Sequence, residues 1–198
     1  QNLTHETNKT FVTVETVEEL DGLPQANIDA AAKMAEANGQ PGKYMFNMQR
    51  PSCNPVLQYC HNRELREKVY NAYYNRGNTG NEYDNKEISR KIVTLRLQKA
   101  KLMGFNNYAE MALKDRMAKT PEAVYNLLDQ IWEPAVKKAK EELADIRAEI
   151  KKEGKNFEPA GWDYMYYLDK AKKAKFAVDE AEISKYLEIN NVYQGIFH

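Results

Sequence analysis

Apolar residues along this chain recur at two different periods, and the change from one to the other organises the sequence. Lys9 to Glu15 alternates, with Phe11, Thr13 and Glu15 on one side and Val12 and Val14 on the other. Lys43 to Met48 alternates in the same way, setting Tyr44, Phe46 and Met48 against Met45 and Asn47. A period of two predicts a short strand in each place. Between them Pro24 stands at a first helical position. Ile28, Ala31, Ala32 and Ala35 form one face, and Asn38-Gly39 supplies the stop. Two strands do not make a stable sheet alone, so a small antiparallel ribbon packed on helices is expected.

From Pro51 onward the period is helical. Asn54-Pro55 reads as the opening of a short helix carrying Val56, Tyr59 and Cys60. Asn62 can cap the next helix, whose stripe is Leu65, Val69, Ala72 and Tyr73. Gly77, Asn78 and Gly80 break the chain, and Asp84 or Asn85 starts a long helix. That helix has Ile88, Ile92 and Leu95 on one side and Val93, Leu97 and Ala100 on another, which predicts burial between neighbours. Gly104 ends it. Asn107 with Glu110 forms a capping-box pattern, and Thr120-Pro121-Glu122 is a strong helix start. The helix that follows carries Val124, Leu127, Leu128, Ile131, Val136, Ala139, Leu143, Ile146 and Ile150, which are expected to form a core stripe, with a kink at Pro134. Gly154 through Gly161 is the clearest linker. An aromatic-rich helix from Trp162 to about Lys175 follows it, then one capped by Asp179 and Glu182 that contains Ile183, Tyr186 and Leu187.

The fold class expected is therefore mainly α: a multi-helix array with a two-stranded antiparallel ribbon near the N-terminus. Three segments suggest themselves: 1–50 as ribbon and helix, 51–153 as helical scaffold, and 154–198 as aromatic-rich helices. With 198 residues the chain can bury roughly 70% of its unfolded surface, enough for one sizeable core or two small ones. Lysine plus arginine equals aspartate plus glutamate, 29 each, so no net field draws nucleic acid or an anionic membrane. No apolar run approaches the ~20 residues of a membrane span.

Candidate chemistry is sparse. The three histidines, His5, His61 and His198, stand alone, and no two lie four apart on one helical face. His61 precedes a helix cap, where an exposed or locally hydrogen-bonded ring is the ordinary case. Cys53 and Cys60 have neither redox nor zinc spacing and read as buried, inert thiols rather than a disulfide. Tyr164, Tyr166 and Tyr167 could line a peptide groove, although core packing with the hydroxyl at the boundary is the simpler reading. Lys170, Lys172, Lys173 and Lys175 read as a solvated helix face, as do the paired signs from Lys137 to Glu142. No residue is assigned a catalytic, cofactor-binding or metal-binding role.

Several ordered motifs carry a resemblance. Asn62-Arg63-Glu64-Leu65-Arg66-Glu67, continuing to Tyr70, Ala72 and Tyr73, resembles the N-R-E-L-R-E-x-x-Y-x-A-Y segment of the thimet-oligopeptidase-like zinc peptidases, in particular their dipeptidyl-carboxypeptidase branch. Leu20-Asp21-Gly22-Leu23-Pro24 is similar to that family's L-x-G-L-P entry to a helix, and Pro51-Ser52 with Pro55-Val56 to its P-S-x-x-P-V run. Met103-Gly104-Phe105-Asn106-Asn107-Tyr108-Ala109-Glu110 resembles its L-G-F-x-N-Y-A-E turn, and Met117-Ala118-Lys119-Thr120-Pro121-Glu122 its M-A-x-[ST]-P-E start. Trp162-Asp163 with Tyr166-Tyr167 is similar to its W-D-x-x-Y-Y helix. Gln1-Asn2-Leu3 resembles the end of a family helix.

The resemblance implies a largely helical parent that hydrolyses oligopeptides with zinc bound by an H-E-x-x-H helix downstream of W-D-x-x-Y-Y. No position here matches that helix, so the expectation is an internal, non-catalytic excerpt that binds no zinc itself. Zinc and the oligopeptide substrate then belong to the parent, and the compartment stays open between cytoplasm and periplasm. The competing expectation is a stand-alone helical interaction module without catalysis. An excised piece is also expected to expose apolar surface, mainly from residues 160–197 with Trp162, Met165 and Tyr166, and to associate with itself.

Overall fold

The computed structural model describes residues 1–177, 182, 183 and 185–197. Among the described residues are nine α-helices and one two-stranded sheet. In order they are α1 (Asn2–Lys9), β1 (Phe11–Val14), a 3-10 turn (Glu18–Leu20), α2 (Gln25–Ala37), β2 (Tyr44–Asn47), α3 (Arg50–Tyr59), α4 (Arg63–Tyr74), α5 (Lys86–Leu102), α6 (Tyr108–Leu113), α7 (Pro121–Lys152), α8 (Gly161–Phe176) and α9 (Ile189–Ile196).

The two alternating segments pair antiparallel, Phe11 opposite Asn47 and Val14 opposite Tyr44. Val14 and Phe46 turn into the main core with Leu20, Leu23, Ala31, Cys53, Val56, Leu57, Leu65 and Val69. Helices α2, α3 and α4 close around the ribbon, which supplies the support two strands lack alone. Gly22 makes this closure possible. Its φ of +91° suits glycine, and a Cβ there would stand 2.3 Å from the Tyr59 carbonyl oxygen. A second, smaller cluster joins Ile146 and Ile150 of α7 to Tyr166 and Tyr167 of α8, with Phe157 against it.

Local signals set most of the boundaries. Asn62 accepts from the amides of Glu64 and Leu65 at 3.1 and 3.2 Å, Asn107 from Glu110 at 2.9 Å, and Thr120 from Ala123 at 3.3 Å. At α5 the side chain of Asp84 accepts from the Lys86 amide at 2.8 Å, while Asn85 is the boundary residue. Glu6 was not foreseen. It is buried on α1 and gathers the Gly77 amide, the Thr79 hydroxyl and the Asn81 amide group, tying the first helix to the glycine-rich loop before α5.

Several expectations are corrected. Helix α3 starts at Arg50, with Pro51 in its first turn, and runs through Pro55. Pro51 already supplies the start, and one interior proline costs a single backbone bond that α3's packing outweighs. The kink expected at Pro134 falls inside α7, which is one helix on both sides of that proline. The two apolar sides of α5 are not buried: Ile88, Ile92, Val93, Leu95 and Leu97 are exposed, and only Ala100 is fully covered. The α7 stripe is core only in its second half, because α8 packs there, whereas Leu127, Leu128 and Ile131 are exposed.

The apolar surface expected from residues 160–197 is present only in part. Tyr166 is buried and Met165 packs on the main core, since α8 lies against α3 and α4. Phe176, Ile183, Tyr186, Leu187 and much of α9 are exposed, but so are α5 and the first half of α7. The cap expected at Asp179 lies outside the described residues, as does His198.

Candidate functional site

The most highly organised polar site joins the start of α4 to the start of α8. The Asn62 cap fixes the first turn of α4, and the helical rise then sets Arg63 and Arg66 one turn apart on the side facing α8. Both guanidinium groups converge on one carboxylate, that of Asp163, which is fully buried. Arg63 donates from Nε at 3.0 Å and from Nη2 at 2.8 Å, and Arg66 donates from Nη2 at 2.9 Å. Asp163 also accepts from the Ala160 amide at 3.0 Å, which satisfies a free donor at the start of α8.

The cationic side is equally complete. Arg66, 1% exposed, donates to the carbonyl oxygens of Cys60, His61 and Trp162 at 2.8, 3.3 and 3.2 Å. Its guanidinium lies 4.1 Å from the Tyr166 ring centroid, and that of Arg63 lies 4.4 Å from the Phe157 ring. Burial pushes the Asp163 carboxyl up, but the hydrogen bonds from Arg63, Ala160 and Arg66 together outweigh it and hold it below the usual range. A planar fork that saturates a carboxylate in this way fixes geometry. The triad is a joint between helices: its carboxylate is saturated by donors, and the guanidinium of Arg66 is turned inward onto Asp163 and three backbone carbonyls.

Beside this joint lies a cleft of about 360 Å³, lined by Leu57 of α3, Tyr70 and Tyr74 of α4, Leu143 and Ile146 of α7, and Tyr164 and Met165 of α8. Gly161 permits it, because a Cβ there would stand 2.3 Å from the Tyr70 hydroxyl. Of the three tyrosines considered for a groove, Tyr164 lines this cleft and lies 3.4 Å from Glu142, whereas Tyr166 and Tyr167 are buried. Tyr167 donates to Glu153 at 2.9 Å. Burial pushes Glu153 up, yet Lys155, Lys170 and Tyr167 bring it down to about 2.

The other candidates are not brought together. His61 is exposed and bonds Asp21 at 2.9 Å, and His5 stacks on Tyr83 with centroids 4.0 Å apart. Among the described residues neither ring is paired with a hydroxyl or thiol. Cys53 and Cys60 are free and buried, and burial pushes both thiols up, away from the reactive thiolate. Lys170 pairs with Glu153 and Lys175 with Asp145, so that helix face is a network of ion pairs.

The arrangement ties two sequence motifs into one device, and comparison with known proteins gives it a setting. The family description "Peptidase family M3" matches residues 56–198. This chain belongs to that family. It is 38% identical over 188 residues to oligopeptidase A of Haemophilus influenzae, which covers 93% of this chain and 28% of that protein. It is 34% identical over 185 residues to dipeptidyl carboxypeptidase of Escherichia coli, covering 93% of the chain and 27% of that enzyme. Organellar oligopeptidase A of Arabidopsis thaliana is 31% identical over the whole chain and 26% of its own length. The M3 chain described here thus spans little more than a quarter of these relatives.

Zinc is the metal that the family resemblance implies, and the donor set here does not fit it. Among the described residues no three His, Cys, Asp or Glu side chains converge as metal ligands would. Asp163 and Glu6 are saturated by donors, and the two described histidines are far apart in sequence and separately engaged. No helix among the described residues is long and apolar enough to cross a membrane.

Proposed function

We propose that this chain is a non-catalytic, scaffolding portion of a longer zinc-dependent M3 oligopeptidase of the peptidyl-dipeptidase type, acting on short peptides. The observation that carries the reading is the family match over residues 56–198, together with relatives named oligopeptidase A and dipeptidyl carboxypeptidase. The physical support is the Arg63–Arg66–Asp163 joint, which spends its polar groups on holding α8 against α4. In the parent such a joint would set the position of part of one wall of the peptide channel, and it does no bond chemistry. The cleft framed by Tyr70, Tyr74 and Tyr164 is the part of that wall suited to an apolar side chain with polar groups at its rim.

The test is a quenched fluorescent peptide assay with added zinc. The 198-residue chain alone is expected to cleave nothing. The same chain placed in the oligopeptidase A of Haemophilus influenzae, in exchange for the aligned segment, is expected to cleave. Peptide hydrolysis by the chain alone, or one zinc held tightly per chain, contradicts the reading.

A further inference from the structure

The least explained part of the molecule is α5 with the first half of α7. Ile88, Ile92 and Leu95 form one apolar row on α5 and Val93 and Leu97 another, and all five are exposed. Tyr125, Leu127, Leu128, Ile131 and Trp132 repeat the pattern on α7. An uncovered row on two helices far exceeds the scattered apolar groups of an ordinary surface.

The charge on this region is as unusual as its apolarity. Helix α5 carries six cations, Lys86, Arg90, Lys91, Arg96, Lys99 and Lys101, against the single acid Glu87, although the chain as a whole is neutral. Among the described residues no acidic side chain pairs with Lys91, Lys99 or Lys101. A covering surface must therefore be apolar in the middle and acidic where it meets these three lysines. A second copy placed with α5 on α5 would set like charges against each other. The relatives point to another occupant. More than two-thirds of the Haemophilus protein has no counterpart in this chain.

We propose that α5 and the first half of α7 form the docking face for the remainder of an M3 peptidase, whose covering surface is apolar with an acidic rim. The proposal rests on the function proposed above and names the surface through which this portion joins the rest. Docking would cover the apolar rows and neutralise the lysines.

Amide hydrogen exchange on the 198-residue chain and on the Haemophilus chimera tests it. Exchange across 86–102 and 121–135 is expected to slow by about tenfold or more in the chimera, because local opening would then have to break the new interface. Residues 63–74, already packed, should change little. Ile92→Asp combined with Leu128→Asp should leave the circular dichroism of the 198-residue chain unchanged while abolishing the added protection. Equal exchange in both settings overturns the proposal, as does protection that survives the double substitution or a chimera that does not fold. Concentration-dependent protection of the 198-residue chain alone, removed by the same substitutions, would assign the face to a second copy and also overturn it. Peptidase activity is read separately. A protected but inactive chimera keeps the docking face and counts against the peptidase function, and an active but unprotected one does the reverse.

Discussion

Helix α7 offers the same sequence pattern two different fates. In its second half Ile146 and Ile150 are 0% and 2% exposed, packed against Tyr166 and Tyr167 of α8. In its first half Leu127 and Ile131, spaced in the same way, are 59% and 53% exposed. The helix is continuous and its start is well capped, so propensity does not separate the halves. What separates them is the presence of a neighbour. Periodicity reports which face of a helix is meant to be covered. It does not report whether the cover lies in the same stretch of chain. The same lesson holds between the ribbon-and-α4 body, where each apolar row finds a partner, and α5, where only Ala100 does.

The sharpest way to break this comparison is to attack the joint that brings α8 into place. Asp163→Ala leaves the Arg66 guanidinium buried without its counter-charge, and should destabilise the chain by about 3–5 kcal/mol in denaturant melts. A loss below ~1 kcal/mol would mean that α8 is held mainly by its apolar contacts. Next in size, Ile146→Ala should cost about 2–5 kcal/mol, because it empties a filled position between α7 and α8. The same change at Ile131 in the 198-residue chain should stay within ~0.5 kcal/mol, since nothing closes over that side chain. Equal losses at the two positions would erase the contrast.

Acid should loosen the packed half of α7. Glu153 falls from 4.5 to about 2 on folding, and Asp163 and Glu6 are lowered as well. A lowered carboxylate contributes stability above its unfolded value and loses it as pH drops through the folded one. The α7–α8 contact should therefore weaken progressively from about pH 4.5 towards pH 2. A melting profile flat over that window would remove Glu153 from the account. Smallest of all, Lys138→Ala should change stability by less than ~0.5 kcal/mol, because its pair with Glu141 is open to solvent.

How much of this was legible follows from the range of each interaction. Asn62, Asn107 and Thr120 could be placed as caps because a cap is settled within three residues. The ribbon was legible from alternation alone. Arg66 and Asp163 each lie in a recognisable motif, but their meeting spans 97 positions and no single sequence announces it. Glu6 was missed for the same reason, since its partners begin 71 residues away. The start of α3 was misplaced because Pro51 and Pro55 compete for one signal. Leu127 and Ile131 were read as core because their pattern is a core pattern, and in this chain it is not completed.

One pair of stability measurements bears most directly on the claim that an M3 partner completes it. Ile131→Ala is introduced into the 198-residue chain and into the chimera with the Haemophilus relative, and both are melted in denaturant. The account predicts near neutrality in the first and a loss of about 2–5 kcal/mol in the second, where the side chain would be buried. The same small change in both would contradict it.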